Sequence, residues 1–267
     1  MKADMRFVSL STLFLWSKPI ESVIDVLTRE MDADGKPDAW DLIDDGNYRF
    51  TKDNLKKYKE LAGSGISYTV HCPFTVHDYI HPDRSVRKKC ISTLKESMLN
   101  VAELSPLTYV FHPAALPMGS RREEVKAINF EFVEEIYDYA KSIGLNALIE
   151  NHVAKMDFMM NNVEEFDEFY RRTNSSIMMA YDAGHANIDG KTKEFVDRFR
   201  SRIGAVHVHD NDGASDLHLA VGEGNIDWCY ILKKLKEYNF QGPLIVESVY
   251  DPFKSVEVLR KIIADIF

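Results

Sequence analysis

The sequence is poor in cysteine. Its 267 residues include three, Cys72, Cys90 and Cys229, with no C-x-x-C spacing. Neither a disulfide framework nor a thiolate metal site is expected, and the three read as reduced thiols. No uninterrupted apolar run approaches the roughly 18 residues of a membrane span. The stretch nearest to a secretion signal, FVSLSTLFLW (7–16) behind Lys2 and Arg6, carries Asp4 in its leader and no small-residue cleavage site after it. A cytoplasmic protein without membrane contact is therefore expected. Positive charge is also scarce: the net charge is −9 and no lysine or arginine run stands out. That excludes binding of nucleic acid or anionic membrane by bulk charge, though not a local basic groove. The first apolar stretch is followed by no glycine-rich turn that would cradle a dinucleotide, so neither a nicotinamide nor a flavin cofactor is expected.

What is present is an ordinary globular balance, 45% hydrophobic and 28% charged, enough to bury a large core. Short apolar, β-branched or aromatic runs recur: RFVSL (6–10), AWDLI (39–43), SYTVH (67–71), YVFH (109–112), ALIE (147–150), IMMAYD (177–182), IGAVHVH (203–209) and LIVES (244–248). Helical patterns lie between them, with apolar residues at three- and four-residue spacing most clearly over 84–104 and 123–144, where Gly144 supplies a stop. Eight strand–helix alternations in about 250 residues predict a single (β/α)8 barrel filling 1–267 as one domain.

All nine histidines fall at an expected strand end or in the loop after it: His71, His77, His81, His112, His152, His185, His207, His209 and His218. In a barrel those positions share the face where active sites are built. Glu150, Asp182 and Glu247 end strands five, six and eight, and Asp216 stands in the histidine-rich stretch AVHVHDNDGASDLHLAVGEGNIDW (205–228). Carboxylates buried together repel one another unless paired. A multivalent cation resolves the conflict, and nitrogen and oxygen donors without thiolate suit zinc, manganese or a similar ion.

From strand three onward the chain resembles the xylose-isomerase-like TIM barrels, a superfamily that includes endonuclease IV and sugar epimerases. HCPF (71–74), HPAA (112–115), LIEN (148–151), YDAGHA (181–186), DLHLAVGEGNI (216–226) and PLIVES (243–248) are similar to endonuclease IV motifs. The resemblance implies up to three zinc ions, with manganese or cobalt as alternatives. His71, His112 and Glu150 would hold the first. Glu150, Asp182, His207 and Glu247 would hold the second, and His185, Asp216 and His218 the third. Epimerases of the superfamily carry an H-x-H whose second member is the ligand, which would make it His209. The first sixty residues show none of the endonuclease motifs, and His77 replaces that family's asparagine.

Two activities are expected from this set. The first is a multinuclear phosphoester hydrolase resembling endonuclease IV, with a small phosphorylated substrate or abasic DNA. The alternative is a sugar or sugar-phosphate isomerase or epimerase that uses Glu150 and Glu247 as an acid/base pair, with His185 holding a substrate oxygen. Smaller features fit either reading. Trp16, Trp40 and Phe74 would wall a pocket or pack in the core. Arg84, Arg87, Arg121 and Arg122 at helix starts would meet phosphate or solvent. Cys72 would face away from the metals, and Asp227 would cap the next helix.

Overall fold

Side chains alternate along a strand, so each short run above must send every second residue into a barrel and the others out to the helices. The structure, a computed structural model, describes residues 7–266 apart from 31–34 and 154, so that Lys2, Asp4 and Arg6 lie outside the described residues. The eight strands are β1 Val8–Ser11, β2 Ala39–Ile43, β3 Tyr68–His71, β4 Tyr109–Phe111, β5 Ala147–Glu150, β6 Met178–Asp182, β7 Ile203–Val208 and β8 Leu244–Val246. They pair in parallel in sequence order, and β1 also pairs with β8, closing the barrel.

Around it lie, among the described residues, α1 Ile20–Arg29, α2 Lys52–Gly63, α3 Arg84–Ala102, α4 Arg122–Ser142, α5 Val163–Thr173, α6 Ala183–Ile188, α7 Thr192–Phe199, α8 Trp228–Glu237 and α9 Pro252–Ile266. Several begin where a short polar side chain accepts a backbone N–H of the first turn: Thr51, Asp83, Asn162, Asp182 and Asp227. Beyond the end of α4, Gly144 takes φ +74°, the left-handed conformation that ends a helix at little cost to glycine. None of the described helices is long and apolar enough to cross a membrane.

The barrel interior is divided. Val110, Leu148, Ala180, Ala205 and Ile245, from β4 to β8, make a small apolar cluster of their own. On the β1–β3 side the fill is polar. Ser9 and Thr69 share a hydrogen bond (2.9 Å), Thr69 donates to Asp41 Oδ1 (2.9 Å) and Ser11 donates to Asp41 Oδ2 (3.1 Å). One step further along the strands the inward positions become His71, Glu150, Asp182, His207 and Glu247, so the active-site layer rests directly on this core.

Trp40 is buried between the barrel and the helices, edge-on to Phe253, and is no part of a substrate wall. Cys72 is fully buried with its thiol bonded to the Pro73 carbonyl.

Candidate active site

Three histidines show a common device. His71, His185 and His218 each donate Nδ1–H to a backbone carbonyl, those of Cys72, Asn151 and Glu247, all at 2.9 Å. This fixes the tautomer and aims the Nε2 lone pair into the site. His112 lacks that bond: its Nδ1 is buried without a partner, and its Nε2 lies 3.1 Å from Glu150 Oε2.

These lone pairs face carboxylate oxygens. His71 Nε2 stands 3.4 Å from Glu150 Oε2, while His185 Nε2 and His218 Nε2 stand 3.5 and 3.4 Å from Asp216 Oδ2. His207 Nδ1 faces three carboxylates: Glu150 (3.3 Å), Glu247 (3.4 Å) and Asp182 (3.6 Å). It makes no hydrogen bond at either nitrogen and is fully buried. Lone pair against lone pair at such distances is repulsive unless a proton or a metal ion stands between them. Ligand atoms about 2.0–2.2 Å from one ion are themselves roughly 3.0–3.6 Å apart, which matches the spacings here. The residues therefore fit a divalent cation. His71–His112–Glu150 and Glu150–Asp182–His207 each bring one donor atom per residue together, as do Asp182–His185–His209 and His209–His218–Glu247.

Electrostatics agree with the geometry. Burial pushes the Glu150 carboxyl up, but His207 and His112 outweigh it and hold it well below the usual range. Asp182 and Asp216 are likewise held low against burial, Asp182 chiefly by His185 and His209, Asp216 by His185 and His218. Burial opposes charge on His185 and His218 too, yet their carboxylate neighbours raise them to about 10 and about 9. Without a cation, protons neutralise the carboxylates.

The structure separates the two histidines of strand seven. His207 sits beneath the site against Glu150, Asp182 and Glu247. His209 Nε2 lies 3.3 Å from Asp182 Oδ1 and 3.8 Å from Asp216 Oδ1, its ring stacked on His218 at 3.9 Å between centroids. His209 thus joins the Asp216–His218 side rather than replacing His207. His185, expected in a loop, lies in α6, where Asp182 caps the helix by accepting the His185 N–H.

Two residues outside the expected ligand set support the site. Asn151 clasps Asp182, accepting its N–H (2.8 Å) and donating to its carbonyl (2.9 Å). Asp210, fully buried, accepts from Gly222 N, Ile226 N and Trp228 Nε1 and so folds the loop that carries Asp216 and His218. His218 itself has φ +46°, a strained conformation for a non-glycine residue, held by Val249 N–H on its carbonyl.

Above the cluster is a cavity of about 290 Å³, at the small-molecule end of binding-site sizes. Leu13, Ile43, Phe74, Val153, Met156 and Phe158 form its apolar wall. Trp16 packs behind Phe74 at 4.8 Å. Arg122 stands behind the wall instead of meeting phosphate: it donates to the Phe158 carbonyl and pairs with Glu165. Arg121 pairs with Glu124 on the surface. Two further histidines line the cavity, and burial, reinforced by neighbouring histidines, lowers His77 to about 4 and His152 to about 2.

The family model described as xylose isomerase-like TIM barrel matches residues 29–264. The uncharacterized protein MJ1311 of Methanocaldococcus jannaschii is 30% identical over 97% of this chain and 89% of its own length. Inosose dehydratase of Yersinia enterocolitica is 25% identical over 46% of this chain and 47% of that enzyme. A solved D-tagatose 3-epimerase-like protein superimposes with a TM-score of 0.87 at 26% identity, covering 97% of both chains. These names favour the alternative expectation, carbohydrate isomerisation, over phosphoester hydrolysis.

Proposed function

The chain belongs to the xylose isomerase-like TIM-barrel family, and from that membership we propose that it is a divalent-metal-dependent sugar or sugar-phosphate epimerase or isomerase. The observation that carries this reading is the convergence of Glu150 from β5 and Glu247 from the end of β8 on His207 Nδ1, at 3.3 and 3.4 Å, at a cavity that both carboxylates line. Glu150, Asp182, His207 and Glu247 would hold the ion, and the donor set suits several divalent metals rather than zinc alone. A bound cation would polarise a substrate carbonyl and its neighbouring hydroxyl and so acidify the C–H between them.

The chain's own part is proton transfer. Glu150, kept ionised by its histidines, takes the proton from the carbon beside the carbonyl, and the electron pair moves onto the carbonyl oxygen. The proton returned to the opposite face as the electron pair comes back is delivered by Glu247, so that Glu150 acts as the base and Glu247 as the acid. His185, expected to hold a substrate oxygen, has Nδ1 on the Asn151 carbonyl and Nε2 turned to Asp216. Epimerisation beside a carbonyl and dehydration of a keto-polyol both begin with this abstraction, which accommodates both named relatives.

The test is exchange of the carbon-bound proton in D2O, followed by NMR over a panel of ketopentoses, ketohexoses, their phosphates and keto-inositols. Exchange and epimer formation are expected, with Glu150→Gln and Glu247→Gln each slower by about 10²–10⁴-fold. An unchanged rate in either variant would sink the acid/base pair.

One observation favours a second reading: His71–His112 and His185–Asp216–His218 supply donors for more than one ion. A multinuclear phosphoester hydrolase would use such a set, and cleavage of abasic DNA or simple phosphate esters in the same preparation would establish it.

A further inference from the structure

Six histidines line the cavity: His71, His77, His112, His152, His185 and His218. In five of them the ring nitrogens are bonded to backbone, turned to carboxylates or shut away from solvent. His71, His185 and His218 bond carbonyls at Nδ1 and face carboxylates at Nε2. His112 faces Glu150 and has Nδ1 buried, while His77 stacks on His112 with its own Nδ1 buried. Glu150, Asp216 and Glu247 can accept, and the remaining described wall is apolar.

His152 is different. The Val153 N–H donates to its Nδ1 at 2.8 Å, so Nδ1 holds a lone pair and the ring's proton must be on Nε2. Both ring faces are covered, by Phe158 (centroids 3.6 Å apart, 8° between planes) and by His185 (5.4 Å, 15°). Only an edge of the ring can meet a ligand, and the Nδ1 corner is taken by the backbone. What is left is an N–H held in one orientation by a sandwich and a backbone hydrogen bond, in the cavity that Glu150 and Glu247 also line.

We infer that His152 is a substrate-binding residue whose Nε2–H donates to the substrate oxygen that gains negative charge when the carbon-bound proton leaves. A neutral donor fixed before the substrate arrives stabilises that charge without reorganising. The Phe158–His152–His185 stack is the device that fixes it, with Arg122 bracing Phe158 from behind. His152 thus does what a cationic side chain would otherwise do in a wall that has no described lysine or arginine.

This inference rests on the epimerase reading, and the experiment separates the two. His152→Phe keeps an aromatic ring in the stack but removes the N–H, and His152→Gln restores an N–H. In the proton-exchange assay His152→Phe is expected to lose about 10²–10³-fold in kcat, with KM within a few-fold and metal content unchanged and with a lower thermal midpoint because the Val153 N–H loses its acceptor, and His152→Gln to recover part of the loss in kcat. A His152→Phe rate within threefold of the unsubstituted protein would overturn the inference alone. A panel on which the unsubstituted protein shows no exchange would overturn the epimerase reading and this inference with it. Independently of turnover, proton–nitrogen NMR of histidine-labelled protein should show His152, assigned by its loss in His152→Phe, as the Nε2–H tautomer. The Nδ1–H tautomer would also overturn the inference.

Discussion

Asp41 is a carboxylate inside the barrel, fully buried, with Thr69 and Ser11 donating to it. Burial, and then the charge of Glu247, raise it to about 6. The native state therefore binds this proton more tightly than the unfolded chain, whose aspartates titrate near 3.9. Stability owed to the protonated form is complete below about pH 4 and is lost as pH rises through about 6. Two pH units correspond to roughly 3 kcal/mol. Asp41→Asn keeps the shape and removes the titration, so in chelated protein it should match the unsubstituted chain least well above pH 7, where it should be the more stable of the two by up to about 3 kcal/mol. Denaturant unfolding at pH 4.5 and pH 8 measures the difference, and equal gaps at both values would rule out Asp41 as the source.

At the scale of an element, the segment from β7 to α8 is the working part of the molecule. It carries Asp216 and His218, and Asp210 gathers it by three hydrogen bonds. Gly224 lets the chain pass this carboxylate: a Cβ there would overlap Asp210 and the Asn211 backbone. Gly224→Ala should cost about 1–3 kcal/mol and weaken metal binding, because the loop must move. Gly63→Ala, at the end of α2 with open space around its Cβ, is the control and should be neutral or slightly stabilising. Metal titration and thermal melts of the two variants check this; equal behaviour would show that the loop does not depend on the close approach.

For the whole molecule, the buried carboxylates make stability and charge balance one problem. In the metal-free protein His207 is raised well above its ordinary range by Glu247 and Glu150 against the effect of burial, and a metal held by Glu150, Asp182, His207 and Glu247 must displace its proton. Affinity should therefore rise with pH across the neutral range, with protons released on binding. At a free ion concentration 100 times Kd the native state gains about 2.7 kcal/mol, so chelation should lower the melting temperature by roughly 5–10 °C. Calorimetry in buffers of different ionisation enthalpy detects the proton release, and elemental analysis of protein purified without chelator counts the ions. A melting point indifferent to chelator and no metal in the protein would refute a metal-dependent function of any kind.

The alternation of apolar runs and amphipathic helices was enough to read the closed barrel, because period-two and period-3.6 patterns are local properties of the chain. The same periodicity placed Glu150, Asp182 and Glu247 at strand ends and hence on one face. It could not choose between His207 and His209, which are two apart and point the same way. That choice needed depth along the barrel axis: two residues are about 6.6 Å, enough to put one ring under Glu150, Asp182 and Glu247 and the other beside Asp216. Nor could spacing show that Trp40 packs outward against Phe253 or that Arg122 braces Phe158, since both contacts join residues far apart in sequence. The placement of the His152 ring came from tertiary structure as well. Its tautomer is set by a neighbour, the Val153 N–H on Nδ1, but the rings that stack on it, Phe158 and His185, come from other parts of the chain, and no spacing in the sequence joins them.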